Sequence, residues 1–427
     1  MFTNTYLPHV SGVARSVETF RDGLQALGHD VHVVCPTFKN ATSSTETVLR
    51  VPAIQNFNGS DFSLRIPLPG AISGHLHDFH PDIIHSHHPF LLGDAALRAA
   101  RELGSPLLFT HHTLYEDYTH YVPVDQDRLR QFVIRLGTDY ANLCDHVIAP
   151  SDSIAELIRR RGVETPITTI PTGIDLDFFA GGDGRAIRAE LGIPPDSKVI
   201  GHLGRLAPEK NLVYLAEAVA LYLRREAGRG CCCLMVGSGP SESQITRIFR
   251  DRGVDDRLYM AGQRTGRELA DSYAAMDLFA FASKTETQGM VLAEAMAAGM
   301  PVVALDAPGA REVVDSSEVG RLLDGDAEAA TFADALAELP LTGSAYRRYV
   351  EAAKERAREF GRGNCTRRLA GIYEQLGRPA RREAGDQRQS NWDSLLARVQ
   401  AEWDLLTAKT RALISAAERG RDKKRAN

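Results

Sequence analysis

The sequence predicts an α/β fold: two doubly wound parallel-sheet domains facing across a cleft, followed by a helical C-terminal tail. Three observations predict it. Short apolar runs alternate with longer helix-patterned stretches, which places parallel strands between helices on both faces of a sheet. The alternation pauses at a Gly- and Pro-rich stretch and then restarts. The chain has 427 residues, more than one ordinary core organises, so two domains are the default.

In chain order, the spacing predicts a helix over Ser16 to Leu27, closed by Gly28, and a strand over Val31-His-Val-Val-Cys35. Asp82-Ile-Ile-His85 is a short strand entered from Pro81, and a helix follows over Asp94 to Leu103 before Gly104. Pro106-Leu-Leu-Phe-Thr110 and His146-Val-Ile-Ala149 are two more strands. A very short first strand is expected because the chain begins at Met1, with a few residues missing before it. The turn Ile170-Pro-Thr-Gly-Ile-Asp175 ends the first half. Gly181, Gly182, Gly184 and the Pro194-Pro195 pair then read as a linker. The pattern resumes with a strand over Lys198 to Leu203, a helix over Leu212 to Arg225, and a strand over Cys231 to Val236 ending in Gly237-Ser-Gly-Pro240. Asp277 to Phe281 and Pro301 to Leu305 continue the second sheet. The expected division is 1–172, an acceptor-side domain; 173–195, a linker; 196–361, a donor-binding domain; 362–378, a terminal helix returning to the first domain; and 379–427, a charged helical tail.

The tail repeats Trp392, Leu395, Leu396, Val399, Trp403 and Leu406 at helical spacing. That spacing suits a helix on a membrane surface, a partner helix that would permit oligomerisation, or a helix packed on its own protein. A hydrophobic fraction of 43%, charged residues at 25% and a net charge of −5 describe ordinary globular composition and give no footprint for nucleic acid. No apolar run is long enough to span a bilayer, and no basic-then-apolar leader opens the chain. The six cysteines lack zinc spacing, and Cys231-Cys-Cys233 reads as part of a buried strand. A reduced, cytoplasmic setting is expected.

The residues with most chemistry lie in the second half. Glu286-Thr-Gln-Gly-Met-Val-Leu-Ala-Glu294 sets two carboxylates around a helix start. The amides of Gly289, Met290 and Val291 would be free to bind phosphate. Carboxylates suit sugar hydroxyls because an ionised oxygen accepts charge-assisted hydrogen bonds. Arg205 and Lys210 follow a strand end. Fixed cations there would stabilise a departing diphosphate more in the transition state than in the ground state. In the first half, Thr110-His-His-Thr-Leu-Tyr-Glu-Asp-Tyr-Thr-His-Tyr121 follows a strand and brings His112 to the same cleft. Other patterns are set aside. Asp175-Leu-Asp177 lies in a turn and reads as structural rather than metal-binding. His85, His87 and His88 lack a fourth zinc ligand at useful spacing. Gly237-Ser-Gly is no phosphate loop, because the Lys-Ser/Thr ending is absent.

In order, Leu7-Pro-His-Val-Ser-Gly12, His85-Ser-His-His-Pro-Phe-Leu-Leu-Gly93, Ile170-Pro-Thr-Gly-Ile-Asp175, Gly204-Arg-Leu-Ala-Pro-Glu-Lys-Asn211, Val236-Gly-Ser-Gly-Pro240 and the two-glutamate stretch resemble the retaining family-4 glycosyltransferases. The likeness covers residues 1 to about 375. It implies the GT-B fold of two Rossmann-like domains. It also implies that Glu294 holds the donor ribose and Glu286 meets the donor sugar. Arg205 and Lys210 would bind the diphosphate, and Gly12 would let the first-domain loop approach it. Backbone near Arg264 and Thr265 would recognise the base, and His112 would contact the sugar C6 hydroxyl and the transition state without abstracting a proton. Two positions depart from the family: Ser11 stands where a glycine is common, and Thr172 where Asn is common.

His112-Thr-Leu-Tyr-Glu-Asp-Tyr is similar to the acceptor motif of bacterial glucosyl-diacylglycerol synthases, and Arg128-Leu-Arg-Gln-Phe-Val-Ile-Arg135 adds a basic amphipathic stretch suited to anionic lipid. The resemblance implies transfer of a hexose, glucose from UDP-glucose, to a lipid hydroxyl such as diacylglycerol, at the inner face of the membrane. The reaction would be a front-face displacement needing no cofactor, no metal and no protein nucleophile. The alternatives are a soluble sugar, polyol phosphate or lipopolysaccharide acceptor, a nucleotide-sugar epimerase, or a non-catalytic scaffold.

Overall fold

The computed structural model describes residues 1–9, 11–38, 45–54, 64–65, 69–114, 126–225, 229–377, 404–405 and 407. The chain divides into two compact units, Met1–Pro171 with Thr366–Asn427, and Thr172–Cys365.

The first unit begins with α1 (Gly12–Ala26), which buries Ala14, Val17, Phe20 and Leu24. The helix starts four residues earlier than its apolar spacing suggests, because Ser11 caps it by accepting from the Ala14 amide. Then come β1 (Val33–Pro36), β2 (Val48–Val51), a two-residue antiparallel pair β3 (Ala53–Ile54) and β4 (Leu64–Arg65), and α2 (Pro69–Phe79). The unit continues through β5 (Ile84–Ser86), α3 (Leu92–Leu103), β6 (Leu107–Thr110), α4 (Gln126–Asn142), β7 (His146–Ala149), α5 (Asp152–Arg160) and β8 (Ile167–Thr169). Strands β5 to β8 pair in parallel in that order, and β1 pairs in parallel with β2. Phe2 bridges Val34 and Ser86, both in parallel. It therefore stands as the short first strand between β1 and β5, and strand succession reverses beside it. Phe2, Ile84, Phe109, Tyr140 and Val147 share one core.

The second unit opens with α6 (Leu176–Ala180) and α7 (Gly184–Leu191). This corrects the linker expected over 173–195. Phe179, Ile187 and Ile193 are buried in the second unit's core. The glycines taken as flexible are close-approach positions. A Cβ at Gly182 would lie 2.3 Å from the Ala270 carbonyl oxygen, and one at Gly184 would lie 2.4 Å from Ala274 backbone. Six parallel strands follow: β9 (Lys198–Leu203), β10 (Cys231–Val236), β11 (Leu258–Gly262), β12 (Leu278–Phe281), β13 (Val302–Leu305) and β14 (Gly320–Leu323). Their spatial order is β11-β10-β9-β12-β13-β14. Helices α8 (Leu212–Arg224), α9 (Glu242–Asp251), α10 (Arg267–Ala274), α11 (Met290–Ala297), α12 (Ala329–Glu338) and α13 (Gly343–Ala357) accompany them. The three adjacent cysteines all lie buried in β10. The last helix, α14 (Arg362–Leu376), belongs to the first unit from Thr366 onward. There Arg368 donates to the Thr169 carbonyl at 2.5 Å, and the Tyr373 hydroxyl meets His85 Nδ1 at 2.6 Å.

The tail lies outside the described residues except at Asp404, Leu405 and Thr407, so its expected apolar stripe does too. Leu405 is buried in the first unit's core, among Phe2, Ile84 and Phe109. No helix among the described residues is long and apolar enough to cross a membrane.

Candidate active site

In a doubly wound sheet, ligands bind beyond the carboxyl ends of the strands where strand succession reverses. In the second unit that point lies between β9 and β12. Both predicted clusters leave the sheet there. Beyond β9 the chain passes Gly204 and Arg205 to a short 3₁₀ turn, Pro208–Lys210. Beyond β12 it passes Ser283 and Glu286 to the start of α11. Three links join the two segments. Asn211 Nδ2 donates to the Ala282 carbonyl at 3.2 Å, Thr285 Oγ1 donates to the Glu209 carbonyl at 3.1 Å, and Lys210 forms an ion pair with Glu286. Arg205 is paired with Glu209. In the free protein each predicted phosphate-binding cation thus rests on a carboxylate of the same cluster.

The start of α11 needs glycine. Gly289 caps the helix with φ +69°, and a Cβ there would lie 2.4 Å from the Gly309 carbonyl oxygen. The amides of Gly289, Met290 and Val291 have no hydrogen-bond partner among the described residues. Gln288, just before, holds the Thr172 backbone with both ends of its amide: Oε1 accepts from the Thr172 N–H at 2.9 Å, and Nε2 donates to its carbonyl at 2.8 Å. Thr172 is thus held through its backbone, whatever its side chain. One turn into α11, Glu294 is 2% exposed and its Oε2 accepts from the Tyr273 hydroxyl at 2.7 Å. Arg264 turns its guanidinium onto Glu190 and the Ala261 carbonyl. Its side chain is thus used for structure, and Thr265 beside it is exposed.

Two supports had no such role assigned from sequence. Gly237-Ser-Gly239 is a buttress for the Arg205 segment. The Gly204 amide donates to the Val236 carbonyl and the Leu206 amide to the Ser238 carbonyl. A Cβ at Gly237 would lie 1.8 Å from the Gly204 carbonyl oxygen, and Gly237 itself has φ +135°. Gly237→Ala is therefore expected to displace Arg205 and lower activity by roughly 10²-fold, the scale of a misplaced catalytic group. Steady-state kinetics beside a thermal melt checks this. His202, at the end of β9, is buried and donates from Nδ1 to the Ala280 carbonyl, since only the nitrogen of that pair can donate.

In the first unit the strand reversal beside Phe2 gathers histidines. The Asn4 amide donates to His88 Nδ1 at 3.1 Å, and Asn4 also holds the Leu92 amide and the Phe90 carbonyl. His85 meets Thr110 Oγ1 at 2.7 Å. His112 is half-buried, and its Nε2 lies 2.8 Å from His87 Nδ1. Gly12 is the first residue of α1 rather than part of a loop, and nothing lies within 4 Å of where its Cβ would stand. The acceptor string from Tyr115 to Tyr121 lies outside the described residues.

Burial holds these imidazoles neutral. His85 and His88 are lowered to about 3 and His202 to about 4, in each case mainly by loss of solvation. The unfolded chain binds protons on these groups at a higher pH than the folded chain does. Stability should therefore fall as pH drops through about 6.5, with a slope approaching about 1.4 kcal/mol per pH unit for each histidine. Thermal melts between pH 7 and 5 measure this.

Comparison with known proteins agrees with this geometry. Residues 10–178 match the family pattern of glycosyltransferase family 4, and residues 183–356 that of glycosyl transferases group 1. Alpha-monoglucosyldiacylglycerol synthase of Streptococcus pneumoniae is 30% identical over 76% of this chain and 75% of its own. The Acholeplasma laidlawii protein of the same name is 29% identical over 71% and 79%. In structure, sucrose-phosphate synthase of Thermosynechococcus elongatus superposes with a TM-score of 0.67 at 23% identity, covering 86% of this chain and 94% of that one. The two parallel-sheet units are thus those of a GT-B glycosyltransferase. The chain belongs to glycosyltransferase family 4 and is a hexosyltransferase.

Proposed function

We propose that the enzyme transfers glucose from UDP-glucose, with retention of configuration and without a metal, to a lipid hydroxyl such as that of diacylglycerol. The observation that supports this most is the cluster at the β9–β12 reversal. A guanidinium, an ammonium and helix-start amides without a partner among the described residues stand together with the Glu286 carboxylate. Two similar proteins that bear the name glucosyldiacylglycerol synthase favour glucose and a lipid acceptor.

In this reading Arg205, Lys210 and the amides of Gly289 to Val291 bind the diphosphate, Glu294 the ribose and Glu286 the sugar. Backbone at Arg264 and Thr265 reads the base. The acceptor hydroxyl attacks C1 on the face the leaving group vacates. The C1–O bond to the diphosphate breaks, a phosphate oxygen takes the acceptor proton, and UDP departs. The basic positions Arg128, Arg130 and Arg135 of α4 would rest on anionic lipid at the inner membrane face.

The test is incubation with UDP-glucose and diacylglycerol in anionic vesicles, with and without EDTA. An α-linked glucosyl lipid formed at the same rate in both supports the proposal. A β-linked product, loss of activity with EDTA, or transfer only to soluble acceptors contradicts the corresponding part of it.

A further inference from the structure

His87 is buried just beyond β5; its ring stacks on that of His85, with centroids 4.3 Å apart, and lies edge to edge and nearly in plane with that of His112, centroids 5.1 Å apart. Its amide donates to the Phe2 carbonyl, which fixes the backbone beside the strand reversal. One proton lies between His87 Nδ1 and His112 Nε2, 2.8 Å apart. Geometry at that contact alone permits either ring to donate. The other nitrogen of His87 decides between them.

His87 Nε2 is fully buried and has no hydrogen-bond partner among the described residues. A neutral imidazole holds one N–H and one lone pair. Had His87 its proton on Nε2, a buried N–H would be orphaned. Orphaned buried donors are rarer in folded proteins than under-satisfied acceptors. The arrangement with the proton on Nδ1 leaves only a lone pair unmatched and makes His87 the donor. Burial lowers the basicity of both rings, so neither gains a second proton near neutrality.

We infer that His87 is a positioning residue: its Nδ1–H donates to Nε2 of His112 and thereby keeps the His112 proton on Nδ1. The inference rests on the reading, implied by the family resemblance, that His112 contacts the donor sugar. A ring whose other nitrogen bears hydrogen can donate to a sugar oxygen there but cannot accept a proton. His112 is then committed to holding the donor sugar, and the acceptor proton must go elsewhere, which agrees with its transfer to the departing phosphate. No acidic side chain is needed to set this tautomer; a second imidazole does it. The chemistry is that of a histidine whose form is fixed by what its other nitrogen touches.

The test is ring ¹⁵N NMR of the ligand-free full chain, labelled at histidine, with His112 assigned through His112→Gln. In the wild type, His112 should show hydrogen on Nδ1 and a bare Nε2. His87→Phe, which preserves the stacking but donates nothing, should move the His112 hydrogen to Nε2. His87→Asn, whose amide places an N–H near the lost Nδ1, should restore the original form. With UDP-glucose as donor, His87→Phe should lower kcat by about 10- to 100-fold at little cost in donor KM, and His87→Asn should recover most of it. A wild-type His112 with hydrogen on Nε2, or a His87→Phe variant with an unchanged His112 spectrum, overturns the inference. Absence of turnover with UDP-glucose in the wild type would instead refute the donor assignment, and the spectra would still decide the role of His87.

Discussion

Lys210→Ala is expected to lower kcat by roughly 10²–10³-fold, the usual scale for removing one preorganised group from developing negative charge. Lys210 sits at the end of the 3₁₀ turn beyond β9, paired with Glu286 beyond β12. The pair joins the two sides of the strand reversal before any ligand arrives. When the bond to the diphosphate breaks, charge grows on the leaving oxygen, and the ammonium is worth more than it was in the ground state. In the proposed function, donor binding draws Lys210 from Glu286 and leaves that carboxylate for the sugar. The variant leaves Glu286 without its cation, so part of any loss could come from an unmatched carboxylate. Glu286→Gln, alone and in the Lys210→Ala background, separates the two effects, because Glu286 is itself assigned to the sugar and its own kinetic cost must be measured. The double variant should recover thermal stability, because the unmatched charge is gone, while kcat stays low. A double variant that regains activity would mean that Lys210 serves only to neutralise Glu286. A single variant with wild-type kinetics would remove the lysine from the site.

Glu294→Gln is expected to weaken binding of the nucleotide by about 10- to 100-fold, the range of a hydrogen bond to a charged group. Glu294 is almost wholly buried, and the Tyr273 hydroxyl fixes one carboxylate oxygen. Glutamine retains the shape and an oxygen for Tyr273, so folding should be little affected, whereas Glu294→Ala would remove the 2.7 Å partner of the tyrosine hydroxyl and leave a cavity in the buried site. If the carboxylate binds ribose, wild-type enzyme should prefer UDP to its 2′,3′-dideoxy analogue, and Glu294→Gln should lose most of that preference. Calorimetric titration of both ligands into both proteins reads it. Undiminished discrimination in the variant would place the ribose elsewhere.

The central strands were legible because they are buried on both faces. Val199, Ile200, Leu234, Phe279 and Val303 form apolar runs with sharp ends. The edges were harder to read. Strands β8, β11 and β14 are Ile167-Thr-Thr, Leu258-Tyr-Met-Ala-Gly and Gly320-Arg-Leu-Leu; they are mostly half-buried, and β8 and β14 also lack a continuous apolar run. The linker misreading has a related cause. Glycine marks both flexible chain and tight packing, and only the neighbouring Ala270 and Ala274 backbone shows which applies at Gly182 and Gly184. In the site, charged motif residues were readable because diphosphate and sugar hydroxyls demand cations and carboxylates. Their supports were not. Tyr273 lies 21 residues before Glu294, and Gln288 holds Thr172 across 116 positions. Nothing local in the sequence marks either contact. His87 appeared only within a family motif and a rejected zinc pattern, because its inferred role depends on one 2.8 Å contact and on what its other nitrogen lacks.

The most direct measurement is a crystal structure of the enzyme with UDP. The account predicts diphosphate density within hydrogen-bond reach of Lys210, Arg205 and the Gly289–Val291 amides, with Lys210 drawn from Glu286 toward phosphate. Diphosphate density remote from the β9–β12 reversal, with the Lys210–Glu286 pair undisturbed, would contradict it.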